Sequence, residues 1–220
     1  MRRVSYAAGV AIVATAFVLL AACQQPTTTP AVSTTKWASD GNGNLEFITN
    51  DSANYGYGYW ETFSSENITP ATTWSGSVAA TLEKVSGGST VAFGMVFCYQ
   101  TNGDFYFVNI AANGGYYVGQ DIGGTTSAIT TDKGSGWIQS TAIKQGDNVA
   151  NVVSVALASS TFTVSINGTP VCSFATSAPS ASYTGGTAGF KMSIGTASDE
   201  SFPGTPEKVL FKMTSPQSYP

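Results

Sequence analysis

Hydrophobic side chains recur at every second position along most of the chain from Trp37 onward. The segment from Val91 to Gln100 shows the pattern most clearly, because it has apolar residues on both sides of an extended strand. One side carries Val91, Phe93, Met95, Phe97 and Tyr99, and the other carries Ala92, Gly94, Val96 and Cys98. Such a strand is predicted to be an inner strand of a two-layer sandwich, with its bulky side in the core and its smaller side under a neighbour or a ligand.

Tight turns divide this region into consecutive hairpins. Asn102-Gly103 separates the first strand from residues 104–110, and Asn113-Gly114-Gly115 separates those from residues 116–120. Asn-Gly adopts the positive φ angles that two-residue hairpin turns require. The three strands are therefore predicted to be antiparallel neighbours.

A second meander is predicted further along the chain. It comprises residues 151–157, residues 161–166 and, after a turn at Asn167-Gly168, residues 170–174. In its middle strand one face is apolar and the other consists of hydroxyl side chains, which predicts one dry and one lightly covered face. The apolar face is Phe162, Val164 and Ile166.

The whole pattern predicts an all-β domain over residues 37–220. No segment of helical length and period follows residue 22, and alternating strands continue to residues 209–213. About a dozen short strands in one chain are typical of a sandwich or barrel, and the jelly roll is the closest match in size. We therefore predict a two-sheet antiparallel jelly-roll sandwich.

The first 22 residues have the three-part layout of an export signal: Arg2 and Arg3, an uncharged apolar stretch, and small residues before Cys23. The string Leu-Ala-Ala-Cys resembles the lipobox of bacterial lipoproteins. That resemblance implies cleavage after residue 22, a diacylglyceryl group on the sulfur of Cys23 and acylation of the new amine. The alternative is an uncleaved transmembrane anchor, for which the apolar stretch is slightly short of the roughly 20 residues needed.

Residues 23–36 are predicted to be a lipidated, flexible tether. Gln24 to Lys36 reads QQPTTTPAVSTTK, in which Pro and Thr interrupt any regular element. Several acyl chains would hold the protein firmly on a membrane without spanning it. The lipobox resemblance thus implies a lipid-anchored protein of the cell envelope with membrane lipid as a partner. Gln24 after the cysteine implies the outer membrane or cell surface if the host is Gram-negative.

Charge and composition exclude several functions. The net charge of −4 would become −6 once Arg2 and Arg3 are removed, so no basic nucleic-acid surface is expected. The absence of histidine excludes Ser-His-Asp and Cys-His catalysis and most transition-metal sites. Cys98 and Cys172 are equally compatible with a disulfide and with buried thiols.

Residues from about Val91 to Met213 resemble the laminin-G-like, concanavalin A-like jelly-roll domains of bacterial surface proteins. The matching segments, in order, are FGMVFCYQTNGDFYFVNI, YYVGQ, GWIQSTAIKQGDN, FTVSINGTPVCSF and GGTAGF. Each is weak alone, but their order and spacing match over a little more than half the chain. Cys98 stands where such domains often carry a polar or basic residue. The resemblance implies a domain that recognises a glycan or a surface ligand.

Aromatic and amide side chains supply candidate ligand contacts. Sugars stack their apolar C–H faces on aromatic rings, and amides hydrogen-bond their hydroxyls. The alternative is that the rings fill the core and the amides face solvent. The candidates are Tyr99, Gln100, Tyr106, Asn109, Tyr117, Gln120 and Trp137.

Catalysis is not expected. Glycosidases of the laminarinase type carry two carboxylates on one strand as Glu-x-Asp-x-x-Glu or Glu-x-Asp-x-Glu, and this chain has no such string. The acids of its first half, such as Glu46 and Glu83, stand singly. A non-catalytic lectin-like lipoprotein is the main hypothesis. A glycoside hydrolase on the same fold and a structural or adhesive surface protein are the alternatives.

One loop has a weak likeness to a calcium site. Asp40, Asn42 and Asn44 place oxygen donors at alternate positions, but Leu45 stands where an EF-hand requires glycine. A structural calcium is thus possible in principle, with a simple Asn-Gly turn as the alternative. No other cofactor is expected.

Overall fold

The computed structural model of the protein describes residues 35–49, 58–62, 76–89, 91–130, 136–175, 187–193 and 206–215. Every described residue belongs to one compact unit, Ser33–Pro220. The predicted signal peptide, Cys23 and the tether up to residue 34 lie outside the described residues. No helix within the described ranges is long and apolar enough to cross a membrane.

The described residues form fourteen strands, and the bounds of each strand follow in chain order. They are β1 (Thr35–Ser39), β2 (Leu45–Thr49), β3 (Gly58–Thr62), β4 (Gly76–Ser86), β5 (Ala92–Tyr99), β6 (Phe105–Ala111), β7 (Gly115–Ile122), β8 (Thr125–Ala128), β9 (Ile138–Gln139), β10 (Val149–Ala158), β11 (Thr161–Ile166), β12 (Thr169–Ala175), β13 (Thr187–Ser193) and β14 (Glu207–Ser215).

The strands make two antiparallel sheets. The first sheet has the order β1-β2-β14-β4-β10-β11-β12, and the second has the order β3-β13-β5-β6-β7-β8, with β9 also paired to β7. The predicted hairpins β5-β6-β7 and β10-β11-β12 are both present. Asn167 and Gly168 have φ angles of 50° and 81°, as their hairpin turn requires. The predicted all-β, two-sheet antiparallel sandwich is confirmed.

The main core lies between the sheets. Phe162, Val164 and Ile166 of β11 are fully buried there, as the alternation predicts. Burying such a side chain contributes about 1.5–3 kcal/mol each. Aromatic rings join the layers, because Phe97 of the second sheet meets Phe162 of the first at a centroid distance of 5.4 Å.

The second sheet is apolar on both sides, as predicted for β5. Val96, Phe105 and Phe107 form a separate buried cluster on the side away from the core, with Tyr99 and Tyr117 packed against it. We call this side of the second sheet the outer face. The register of β13, β5, β6 and β7 assigns to it Lys191, Gly94, Val96, Tyr99, Phe105, Phe107, Asn109, Tyr117, Gly119 and Asp121.

An irregularity at Cys98 overturns part of the predicted alternation. Between Gly189↔Val96 and Thr187↔Tyr99, β13 advances two residues while β5 advances three, so β5 contains a bulge. Cys98 has a φ of 53° and joins the main core beside Phe97, whereas Tyr99 turns to the outer face. The predicted faces of these two residues were wrong, because one extra residue inverts the period from that point on. Cys98 and Cys172 are free thiols.

Candidate functional site

A row of four residues crosses the outer face on neighbouring strands. Tyr117 of β7 pairs with Asn109 of β6, Asn109 with Gly94 of β5, and Gly94 with Lys191 of β13. Directly opposed residues of antiparallel strands share a face. Gly94 lets the backbones of β5 and β6 approach closely, since a Cβ there would lie 1.8 Å from the carbonyl oxygen of Val108. The row therefore sets a tyrosine and an amide on one side of Gly94 and a lysine on the other.

Aromatic rings cover the centre of the outer face. Phe107 and Tyr117 stack with their centroids 5.6 Å apart and their planes 8° apart, and Tyr99 stacks on Phe105 at 5.7 Å. Gly119 provides the room for the first pair, because a Cβ there would lie 2.5 Å from Tyr117 Cε1 and 2.6 Å from Phe107 Cζ. A glycine at this position thus lets the two rings pack closely above β7.

Trp137 extends the aromatic surface beyond Tyr117. Their ring centroids are 5.7 Å apart, and both side chains are half-buried. Gly115 lies beneath the indole, since its Cβ position would be 3.2 Å from Trp137 Cε3. Gly136 has a φ of 76°, and a Cβ at this residue would lie 2.5 Å from Tyr117 Cε2. The absence of a side chain therefore lets the chain pass close to the Tyr117 ring. Tyr117 and Trp137 together form a partly accessible aromatic platform.

Asn109 supplies an unused hydrogen-bond acceptor beside that platform. Its side chain is 4% exposed, and its Nδ2 donates to Ser193 Oγ at 3.4 Å. Within the described part of the chain, Asn109 Oδ1 has no hydrogen-bond partner. A buried acceptor without a donor costs about 1–3 kcal/mol, and a hydroxyl or N–H of a ligand would satisfy it only once the side chains that cover Asn109 move aside.

Lys191 and Asp121 give the outer face its charge. Lys191 Nζ lies 5.0 Å from the ring centroid of Phe107 and 6.0 Å from that of Phe105, within the range of cation–π attraction. Burial lowers the pKa of Lys191, and the negative charge of Asp121 acts in the opposite direction. Asp121 also accepts a hydrogen bond from Thr126 Oγ1 at 2.7 Å. One cation and one carboxylate therefore offset each other near the rings.

The structure unites four of the seven candidate ligand contacts and separates the others. Tyr99, Asn109, Tyr117 and Trp137 meet on the outer face. Tyr106 is 1% exposed and packs in the main core against Phe97, Phe162 and Phe174, so the prediction that it contacts a ligand is wrong.

The two glutamines bond locally. Gln100 Nε2 donates to the carbonyl oxygen of Cys98 at 2.8 Å, within its own turn. Gln120 pairs with Tyr106, which assigns it to the opposite side of the sheet from Asn109, and its Nε2 donates to Ser127 Oγ at 3.3 Å. Neither glutamine joins the platform.

Four residues of the outer face are not among the sequence-predicted candidates: Phe107, Lys191, Asp121 and Gly119. Phe107 was detectable, because alternation along β6 places Phe105, Phe107 and Asn109 on one side and Tyr106 on the other. Lys191 had a weaker signal: it is a single charge between Phe190 and Met192 within an apolar strand. Nothing local marked Gly119 as the residue beneath two rings, since that contact depends on which strands pair.

The calcium candidates form one turn in which they bind one another. Asp40 Oδ1 accepts backbone N–H bonds from Asn42 at 2.8 Å and Asn44 at 3.0 Å, and Asn44 Nδ2 donates to Asp40 Oδ2 at 2.6 Å. The Asn44 side chain and these backbone donors lower the pKa of Asp40 to about 2. The described residues contain no group of three or more Cys, Asp or Glu side chains that could hold a metal ion. The carboxylate serves as the acceptor that closes the β1–β2 turn.

The fold and the outer face together define a class: an antiparallel jelly-roll sandwich with aromatic and polar side chains on the outer side of one sheet. No protein-family model and no curated protein matches the sequence.

Among solved structures, the carbohydrate-binding module CBM66 from Bacillus subtilis is similar at 11% identity, covering 82% of this chain and 90% of that chain, with a TM-score of 0.48. Sheep galectin-11, in complex with glycerol, is 12% identical, covering 73% of this chain and 95% of its own, with a TM-score of 0.42. The β-glucanase of Bacillus licheniformis is 10% identical, covering 82% of both chains, with a TM-score of 0.48.

Proposed function

We propose that this protein is a carbohydrate-recognition protein that binds a glycan on the outer face of its second sheet, without catalysis. The observation that carries the proposal is the pairing of Asn109 with Tyr117. A buried amide oxygen that lacks a donor within the described residues stands directly beside a half-buried aromatic ring. The ring offers a flat apolar surface for the C–H face of a sugar, and the amide oxygen would accept a bond from a sugar hydroxyl once the side chains that cover it move aside.

The platform of Tyr117 and Trp137 supports stacking. Both rings keep part of their surface accessible, and the stack with Phe107 holds Tyr117 in place before a ligand arrives. A rigid aromatic surface loses little conformational entropy on binding. The tilt of 54° between the two rings would let consecutive sugar residues contact one ring each.

The acidic residues support binding without hydrolysis. Glycosidases need two carboxyl groups about 5–9.5 Å apart across the scissile bond. Among the described strands, the register assigns one acidic side chain, Asp121, to the outer face. That carboxylate already accepts a bond from Thr126 and lies near the Lys191 charge. We therefore propose recognition as the role of this face.

The test uses the full-length protein purified in detergent, screened on a glycan array and then by calorimetry with the oligosaccharides retained. Trp137→Ala should weaken binding at least tenfold, which corresponds to about 1.4 kcal/mol. Trp37→Ala is the matched control, because Trp37 is also half-buried but packs on Phe47 and Phe211 of the first sheet. Equal losses in both variants, or an array without any retained saccharide, would reject the proposal.

We further propose that the chain is held on the cell envelope by lipid on Cys23. The support is the sequence around that cysteine, which lies outside the described residues. Cells grown with a labelled fatty acid should incorporate it into the protein, and Cys23→Ser should abolish incorporation. Cys98→Ser is the control, since Cys98 is buried in the core and should leave labelling unchanged. Labelling that persists in Cys23→Ser would contradict the anchor.

A further inference from the structure

A cavity of about 290 Å³ opens at one edge of the sandwich, apart from the outer face. The second sheet contributes Tyr116 of β7 and the segment from Ile138 to Ala142, and the first sheet contributes the start of β12, Thr169 to Val171. The Tyr116 hydroxyl donates to the carbonyl oxygen of Val171 at 2.8 Å, which joins the sheets at the base of the cavity. Because Tyr116 and Tyr117 are adjacent in one strand, this tyrosine points to the opposite side of the sheet from the platform.

The wall of the cavity is held in place before any ligand binds. The backbone N–H of Ser140 donates to the carbonyl oxygen of Gly114 at 3.0 Å. Asn167 Nδ2 donates to the carbonyl oxygen of Ala142 at 2.8 Å and to Asn151 Oδ1 at the same distance. The segment after β9 is thus tied both to the β6–β7 turn and to the β11–β12 turn. A wall fixed in this way loses little freedom when a ligand enters.

The lining chemistry selects the class of ligand. None of the described lining residues is charged, and besides Tyr116, whose hydroxyl is bonded to Val171, the polar ones are hydroxyl or amide side chains: Gln139, Ser140, Thr141 and Thr169. An ionic ligand would find no countercharge among the described lining residues. Hydroxyls and amides both donate and accept, so they match a ligand rich in hydroxyl groups. Pro170 and Val171 add an apolar wall for a C–H face.

The geometry points to a second binding site, for a single neutral sugar residue, at this edge of the sandwich. Its volume of about 290 Å³ lies just below the roughly 300–1,000 Å³ typical of ligand sites, which suits one sugar ring better than a chain. The site does not depend on glycan binding at the outer face.

The test is titration of the full-length protein with glucose, galactose, mannose and N-acetylglucosamine, and with glucuronate as the charged probe, followed by amide chemical shifts. At least one neutral sugar should shift the signals of Ser140, Thr141 and Thr169, and glucuronate should bind at least tenfold more weakly. No shift with any of the four neutral sugars, or equal binding of glucuronate, would overturn the inference.

Variants localise the site. Thr169→Trp and, independently, Thr141→Trp should each reduce affinity at least tenfold by filling the cavity, since both threonines are exposed lining residues. Thr161→Trp is the matched control, because Thr161 is exposed at the start of β11 and does not line the cavity. Equal affinities in the cavity variants and the control would contradict the assignment.

Discussion

Asn109 and Tyr117 stand opposite each other on β6 and β7, and the ring of Tyr117 stacks on Phe107 two residues before Asn109 in the chain. Their Cβ atoms are expected about 4.5–5.5 Å apart in such a pair. The acceptor and the aromatic surface are therefore positioned by the same strand register. A change at either residue tests the proposed site without altering the sheet order.

Asn109→Leu should separate a binding role from a structural one. The side chain gains little from folding, since its Oδ1 has no partner within the described residues and its bond to Ser193 is 3.4 Å long. An apolar replacement of similar size should leave the free energy of unfolding within about 1 kcal/mol. Glycan affinity should fall about tenfold. Urea denaturation and calorimetry measure the two quantities.

Asn151→Leu is the control for that experiment. Asn151 is also buried, but both ends of its amide are bonded. Its Oδ1 accepts a hydrogen bond from the backbone N–H of Lys144 at 2.8 Å, and its Nδ2 donates to the Lys144 carbonyl oxygen at 2.9 Å. Its loss should cost about 1–3 kcal/mol. If Asn109→Leu proved equally destabilising, the amide of Asn109 would be structural and the proposed contact would lose its support.

Gly119→Ala should disturb the platform from below. The added methyl group would meet the rings of Tyr117 and Phe107 at 2.5 and 2.6 Å, so at least one ring must move. Overpacking of this kind costs about 1–3 kcal/mol, and glycan affinity should fall with it. Adding Phe107→Leu should cost less in this background than in the parent protein, because it removes one of the clashing rings. If the losses of stability from the two substitutions were additive in the double variant, contact with the Phe107 ring would not be what makes alanine unfavourable at residue 119.

Local alternation predicted the strands well, because side-chain direction in a strand depends on neighbours in sequence. It predicted burial of both faces of β5 and the dry face of β11. The alternation failed at Cys98, because the extra residue of the β5 bulge reverses it and Tyr99 lies on the outer face. It also could not supply the strand order, in which β14 lies between β2 and β4, since that pairing joins segments far apart in the chain.

The candidate site was also predictable only in part, because residue types are visible in the sequence and strand pairing is not. Residue type predicts Asn109, Tyr117 and Trp137 as ligand contacts; the register then pairs Asn109 with Tyr117, and the ring of Trp137 contacts that of Tyr117. Tyr106 was selected for the same reason, yet it belongs to the core, because it lies one residue from the face of Phe107. Lys191 reaches the rings from β13, a strand separated from them by more than 80 residues, a distance over which sequence patterns carry no pairing information.

An ion pair with one buried and one exposed partner should lose different amounts of stability when each partner is removed. Lys84 is 1% exposed, and its Nζ lies 2.6 Å from Asp147 Oδ1 and 2.8 Å from the carbonyl oxygen of Gly87, whereas Asp147 is 44% exposed. Asp147→Ala strands the buried ammonium and should cost stability near the lower end of about 3–5 kcal/mol. Lys84→Met keeps the apolar stem and leaves a carboxylate that water can hydrate, so it should cost less. Urea denaturation of both variants shows which substitution lowers the free energy of unfolding more.

The Lys208–Glu46 ion pair is the control for the comparison of Asp147→Ala with Lys84→Met. Its N···O distance is also 2.6 Å, but both side chains keep access to water, with 32% and 16% exposure. Lys208→Ala should change the free energy of unfolding by less than about 1 kcal/mol. A larger loss from Lys84→Met than from Asp147→Ala would mean that packing of the lysine stem, rather than its charge, dominates at this end of β4.

Stability should fall at alkaline pH through the thiol of Cys98. Burial raises the pKa of Cys98 from 9.0 to about 12, so between these values the unfolded chain releases the proton while the folded protein retains it. The unfolded state then binds fewer protons, and the free energy of unfolding falls by up to about 1.4 kcal/mol per pH unit. Below pH 9 this contribution is constant. Cys98→Ala should remove it, as measured by urea denaturation between pH 8 and pH 11, a range chosen to bracket the unfolded pKa.

Two tyrosines should account for the fall of the free energy of unfolding with pH that remains in Cys98→Ala. Burial also raises the pKa values of Tyr116 and Tyr117 above 10.0, so part of the alkaline loss should persist in the variant. Cys172→Ala is the matched control: its thiol is half-buried and its pKa is raised by the same cause, so it should remove a smaller part of the slope. Identical slopes in the parent protein and in Cys98→Ala would mean that the thiol of Cys98 reaches solvent before the protein unfolds, which would contradict its place in the core behind the β5 bulge.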